Sequence, residues 1–185
     1  ESMVGDHLIP VIVDAYMKGY RDFDIELLYK AMRKKALELP KAPVPQEAGR
    51  SGLTYYLEKG YAPIDKVTEA VPNTLELAYD DWCIAQLAKE LGNNKQEIVT
   101  EGDHSYYKYF DPLLVGRRPN RHYTESNAWQ YIWSVQHDPQ GLINLFDNKN
   151  QFIDKLDTFF EMSPVITPPK YVGVVGTIGQ YVQGN

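Results

Sequence analysis

Residues 73–92 read NTLELAYDDWCIAQLAKELG, and this stretch decides the fold class. Leu75, Ala78, Trp82, Ala85, Ala88 and Leu91 recur at three- and four-residue intervals, the spacing that lines one face of an α-helix. Asn73 followed three residues later by Glu76 has the form of a capping box, and Gly92 supplies the stop. The pattern predicts a helix opening at Asn73 with an apolar stripe against a core. On that reading Asp80 and Asp81, beside Trp82, are surface and cap-like partners, and Cys83 is a packed core thiol.

The same punctuation repeats outward. Upstream, Asp6 stands as a cap for a helix over 8–18, with Leu8, Val11 and Ala15 at helical spacing, Pro10 in the first turn and Gly19 as the stop. Asp24 caps a second helix whose stripe is Leu28, Ala31, Met32 and Leu37; its basic residues crowd the C-terminal half, where the helix dipole favours positive charge. The Pro- and Gly-rich stretch 40–62 predicts a long irregular connection with one short helical turn. Downstream, a helix is expected over 95–110, and an aromatic helix over 123–133 that buries Ala128, Trp129, Ile132 and Trp133. Asp138-Pro139 opens a short helix ending near Phe146. Phe152, Ile153, Leu156, Phe159 and Phe160 form one face of a last helix. Beyond Met162 the helical period stops, and 164–185 is Gly-, Val- and Pro-rich. Some seven helices with almost no strand signal indicate an all-α architecture of antiparallel helical hairpins; no fixed-period repeat points to a solenoid.

Composition removes several function classes. With 185 residues the chain holds one domain or part of one. A formal charge of −6 leaves no broad cationic surface for nucleic acid. No apolar run reaches the ~20 residues of a bilayer span. Cys83 stands alone, so neither an internal disulfide nor a thiolate metal cluster can form. Fourteen Tyr and three Trp suit either core filling or packing against sugar rings.

Few residues stand out for chemistry. Glu125 lies among Tyr123, Trp129 and Tyr131, and a carboxyl desolvated by aromatic neighbours gains the raised pKa of a general acid. The competing reading is a first-turn glutamate favoured by the helix dipole. Glycoside hydrolysis requires a second carboxylate; Asp6, Asp80, Asp81, Asp103 and Asp138 are the candidates, and none forms a local pattern with Glu125. His7, His104, His122 and His137 lack zinc-site spacing. Gly173, Gly176 and Gly179 imitate a dinucleotide-binding loop without its strand and helix, and no Gly-x-Ser-x-Gly turn occurs.

At these residues a resemblance emerges. Glu125-Ser126-Asn127-Ala128-Trp129-Gln130-Tyr131, with His137-Asp138 and Gly141-Leu142-Ile143, is similar to the Glu-Gly-Asn-Ala-Trp-Gln-Tyr … Pro-His-Asp … Gly-Leu-Ile signature of family 92 α-mannosidases. Met3-Val4-Gly5-Asp6-His7, Asp14-Ala15-Tyr16-Met17-Lys18-Gly19, Phe23-Asp24, Thr74-Leu75-Glu76 and Tyr79-Asp80-Asp81-Trp82 continue it in order along nearly the whole chain. Ser126 replaces the usual Gly, Gln136 the usual Pro, and Asp147-Asn148 a common Gly pair. The connection from Asp111 to Tyr123 is shorter than in the family.

The resemblance implies that 1–185 is part of an (α/α)6 barrel truncated at both ends, whose parent also carries the missing barrel helices and a β-sandwich domain. It implies a calcium-dependent, inverting, exo-acting enzyme that removes terminal α-linked mannose, α-1,2 in many members, from glycans in a periplasmic or secreted setting. By the same route Glu125 is the proton donor, Asp6, His7, Trp129 and Gln130 bind substrate, and Asn185 belongs to the calcium and sugar site. The general-base carboxylates fall beyond this chain, so the piece alone is expected to be inactive. The alternatives are a non-catalytic helical module that binds glycans or proteins, and an (α/α)6 enzyme of different sugar specificity.

Overall fold

The computed structural model describes residues 4–45, 48–92, 123–124, 126–164 and 178–181. The chain divides into two compact units, 1–103 and 104–185. Among the described residues there are seven helices and no strand, only an isolated bridge between Ile178 and Tyr181. The all-α expectation holds. The helix expected over 95–110 lies outside the described residues.

The first unit contains α1 (Leu8–Met17), α2 (Ile25–Leu37), α3 (Leu53–Lys59) and α4 (Ala70–Glu90). Its core joins Ile9 and Val13 of α1, Tyr29, Met32 and Ala36 of α2, and Cys83, Ile84, Leu87 and Ala88 of α4. The Asp24 carboxylate accepts the Leu27 N–H at 2.9 Å and caps α2 as expected. In α1 the stripe differs: Leu8 and Val11 are exposed, while Ile9 and Val13 are buried. Helical spacing alone does not say which of two overlapping apolar faces meets the core.

Two corrections concern α4. It begins at Ala70, one turn before Asn73, after Glu69 in a left-handed conformation (φ 55°). The proline at 72 is tolerated because a backbone N–H in the first turn has no intrahelical acceptor, so the donor that proline lacks is not needed there. Asn73 is therefore interior and buried, its amide donating to the carbonyls of Thr68 (3.2 Å) and Glu69 (2.9 Å). Fifteen of the 21 residues of α4 are buried, which makes it a central helix rather than a one-faced one. Asp80 and Asp81 are accordingly not at the surface, with 0% and 5% of their area exposed.

The second unit contains α5 (Ala128–Tyr131), α6 (Pro139–Asn144) and α7 (Lys149–Glu161). Asp138 caps α6 through the Gly141 N–H at 2.8 Å, with Pro139 in the first turn. Asn148 caps α7 through the Gln151 N–H at 3.0 Å. The aromatic helix expected over 123–133 contracts to the single turn α5, because Asn127 starts it with a side-chain cap. Along α7, Phe159 is buried whereas Ile153 and Phe160 are exposed, so the buried face is narrower than the apolar spacing implied.

Candidate functional site

In the first unit the polar residues gather behind the N-terminus of α1. Asp6 does not cap α1 with its side chain; its carbonyl accepts the Ile9 N–H at 2.7 Å, which frees the carboxylate. One oxygen, Oδ2, accepts from Arg50 Nε at 2.8 Å, and Oδ1 lies 2.5 Å from Lys35 Nζ. The backbone N–H of Asp6 donates to Asp80 Oδ2 at 2.7 Å. Thus the loop before α1 is tied to α2, to the segment before α3 and to α4.

Arg50 is the centre of this cluster. Its side chain is 1% exposed, and Nη1 donates to Asp81 Oδ1 at 2.6 Å while Nε holds Asp6. Burial opposes its charge, but the Asp81 and Asp6 carboxylates outweigh that and hold its pKa above the ordinary value. Its Nη2 is buried with no hydrogen-bond partner among the described residues. Desolvation raises Asp81, and Arg50 pulls in the opposite direction. Asp80 is pushed up to about 7 by desolvation, only partly countered by the Asp6 N–H and by Arg50. Its Oδ1 has no hydrogen-bond partner among the described residues.

A polar cavity of about 190 Å³ opens beside this cluster, lined by Asp6, Arg50, Ser51, Glu69 and Asn73 among others. Glu69, a non-glycine residue with φ 55°, stands at its wall; a left-handed backbone at a cavity is strain of the kind found at binding sites. His7 lines a different, more apolar groove of about 380 Å³ between α1 and α2, which Asp6 also borders. The His7 ring lies 4.0 Å from Glu76, whose pKa burial raises.

In the second unit the turn around Asn127 is over-determined. Asn127 caps the Gln130 N–H at 3.2 Å, and Gln130 Oε1 returns the contact to the Asn127 N–H at 3.1 Å and accepts from the Ser126 hydroxyl. Gln130 Nε2 donates to the Gln180 carbonyl and Asn127 Nδ2 to Gln180 Oε1, both at 2.9 Å. Gln180, 1% exposed, completes the bracket by donating Nε2 to Ser163 O and its backbone N–H to Phe159 O. Trp129 is half-buried, with the Lys155 ammonium 3.6 Å from its ring centroid, a cation–π contact. Burial lowers the Lys155 pKa.

Of the residues singled out in the sequence, Asp6 and His7 fall together in the first unit, and Trp129 and Gln130 together in the second. Glu125 and Asn185 lie outside the described residues. Arg50 and Gln180 were missed; Asp80 and Asp81 stood among the carboxylate candidates, but they are buried and not the surface residues expected. A pair of aspartates inside an otherwise apolar helical run was the available signal, since charges in such a place are buried only when paired. No described group of three or more His, Cys, Asp and Glu side chains converges as a metal site. The Asp6 and Asp81 carboxylates are already taken by Lys35 and Arg50, so the described residues do not form a calcium cage.

Comparison with known proteins places this geometry in context. The glycosyl hydrolase family 92 catalytic domain matches residues 1–185. An "Uncharacterized secreted glycosidase" of Arthroderma benhamiae is 27% identical over 200 residues, covering 83% of this chain and 26% of that protein. The solved family GH92 alpha-mannosidase BT3965 from Bacteroides thetaiotaomicron is similar at 32% identity and a TM-score of 0.75, covering 99% of this chain and 25% of the enzyme. The family GH92 inverting mannosidase BT2199 from the same organism is similar at 29% and 0.68, covering 96% and 26%. The chain therefore spans about a quarter of the length of these relatives.

Proposed function

The chain belongs to glycosyl hydrolase family 92, and from that membership we propose that its parent is an inverting, exo-acting α-mannosidase that removes terminal, α-1,2-linked mannose. The observation that carries this reading is the likeness of nearly the whole chain to two solved mannosidases at 29–32% identity. Residues 1–185 are then part of an (α/α)6 barrel that the parent completes together with a β-sandwich domain. The name of the Arthroderma benhamiae relative supports a secreted or periplasmic setting.

In the proposed reaction Glu125 donates its proton to the glycosidic oxygen as the bond to the anomeric carbon breaks. A water on the opposite face forms the new bond to that carbon, and its proton passes to a base carboxylate outside this chain. Asp6 receives sugar hydroxyls at the polar cavity, where Lys35 and Arg50 hold its carboxylate in place. His7 extends the binding surface along the neighbouring groove. The bracketed amide of Gln130 and the Trp129 ring shape the turn that follows Glu125, and the Lys155 contact fixes the Trp129 plane. Calcium belongs to the proposal for the parent, with Asn185 among its ligands; it supplies a hard cation for sugar hydroxyls.

The test is Glu125→Gln in the full-length parent, assayed on an α-1,2-linked mannose disaccharide, whose sugar leaving group cannot depart without the proton. Removal of a general acid lowers turnover by roughly 10²- to 10⁴-fold with substrate binding kept. Chelation of calcium is expected to abolish turnover and re-addition to restore it. Unchanged hydrolysis by the Glu125→Gln variant removes Glu125 from the mechanism, and hydrolysis indifferent to chelator removes the calcium.

A further inference from the structure

Three carboxylates and two cations meet behind the Asp6 loop. Asp6 pairs with Lys35 and Arg50, and Asp81 pairs with Arg50, so each of these cations is already committed. Asp80 is the surplus carboxylate: fully buried, its Oδ2 accepts the Asp6 backbone N–H, and its Oδ1 has no partner among the described residues. A third buried negative charge has no cation of this cluster left to balance it, whereas a neutral acid leaves only a weakly solvated oxygen unpaired, the smaller penalty.

We propose that Asp80 is a positioning residue that holds the Asp6–His7 segment in its sugar-binding place as a neutral carboxylic acid, and that ionisation of Asp80 weakens sugar binding. The inference rests on the reading in which Asp6 contacts sugar. The groups facing Asp80 are Asp6 and His7 from the loop before α1, Arg50 from the segment before α3, and Tyr79 and Cys83 on its own helix. Asp6 opposes its ionisation; Arg50 and His7 favour it but do not prevail over burial, so its titration falls at about 7. Below that value the cluster is balanced. Above it, Asp80 repels the Asp6 carboxylate and competes for Arg50, and the Asp6 loop must shift or admit water. The direction is therefore a rise in KM with rising pH, carried by binding and not by the chemical step.

The experiment uses the full-length parent on an aryl α-mannoside, with kcat and KM separated across pH, beside Asp80→Asn and Asp80→Ala. Asn keeps the shape and the acceptor for the Asp6 N–H and cannot ionise. Wild-type KM is expected to rise roughly three- to tenfold between about pH 6 and about pH 9, which corresponds to half to one pK unit of coupling. Asp80→Asn is expected to hold the low-pH KM throughout, and Asp80→Ala to raise KM at every pH. A KM rise that survives in the Asp80→Asn variant overturns the inference while leaving the mannosidase reading intact. Infrared difference spectra of wild type against Asp80→Asn give a readout independent of turnover. A protonated-carboxyl band is expected in wild type at about pH 6 and absent from the variant. No such difference sinks the proposal even if the parent hydrolyses no mannoside.

Discussion

Arg50 shows how one side chain can carry the energetics of a site. Its guanidinium is 1% exposed and bonded to two carboxylates that come from different parts of the chain. Truncation leaves Asp6 and Asp81 buried beside one fewer cation, and breaking a buried pair from one side costs about 3–5 kcal/mol. Arg50→Leu in the parent is expected to lower the melting temperature sharply near neutral pH. Asp81 is already held above its ordinary pKa by burial, so without Arg50 it takes up a proton more readily and the deficit narrows as pH falls. Melting curves of the variant and wild type at about pH 5 and about pH 8 read this directly. A deficit of equal size at both values contradicts the charge account. None of this was legible locally: Arg50 sits in a Gly- and Pro-rich connection, and its partners lie 44 and 31 residues away.

At the scale of elements, caps were the most readable features because their partners are three residues away. Asp24, Asp138 and the stop at Gly92 follow from such local hydrogen bonds and backbone preferences. The capping form at Asn73 misled because Glu69 and Ala70 already start the helix, and the surrounding core rewards the extra turn. Gly179 marks a junction of another kind. It adopts φ 58°, and a Cβ there would run into the backbone carbonyl oxygens of Phe159 and Phe160 at the end of α7. Gly19 has φ 94° with nothing within 4 Å of a Cβ, so Gly19→Ala bears backbone strain alone, roughly 1 kcal/mol. Gly179→Ala bears that strain plus a backbone clash beside the Gln180 bracket, and is expected to cost distinctly more than about 1 kcal/mol. It is also expected to reduce turnover, since the bracket holds the turn that follows Glu125. Equal melting temperatures for the two alanine variants would falsify the role given to this junction.

At the scale of the molecule, the chain matches about a quarter of each relative's length, and α1 turns Leu8 (69% exposed) and Val11 (62%) outward, with Leu27 of α2 also exposed at 62%. Apolar faces of this kind favour association when nothing covers them. Residues 1–185 expressed alone are expected to self-associate, seen as concentration-dependent mass in light scattering; a monodisperse monomer across concentration refutes this. By itself, the amino-acid sequence determined the helical class, several caps and stops, and the family signature, because helical periodicity, capping chemistry and motif order are written in neighbouring residues. Only the tertiary structure decided which face of α1 is buried, that Asp80 and Asp81 lie inside, and that Arg50 joins Asp81 to Asp6. Burial and ion pairing are set by groups far apart in the chain, and the free energy of a charge depends on what folding brings to it.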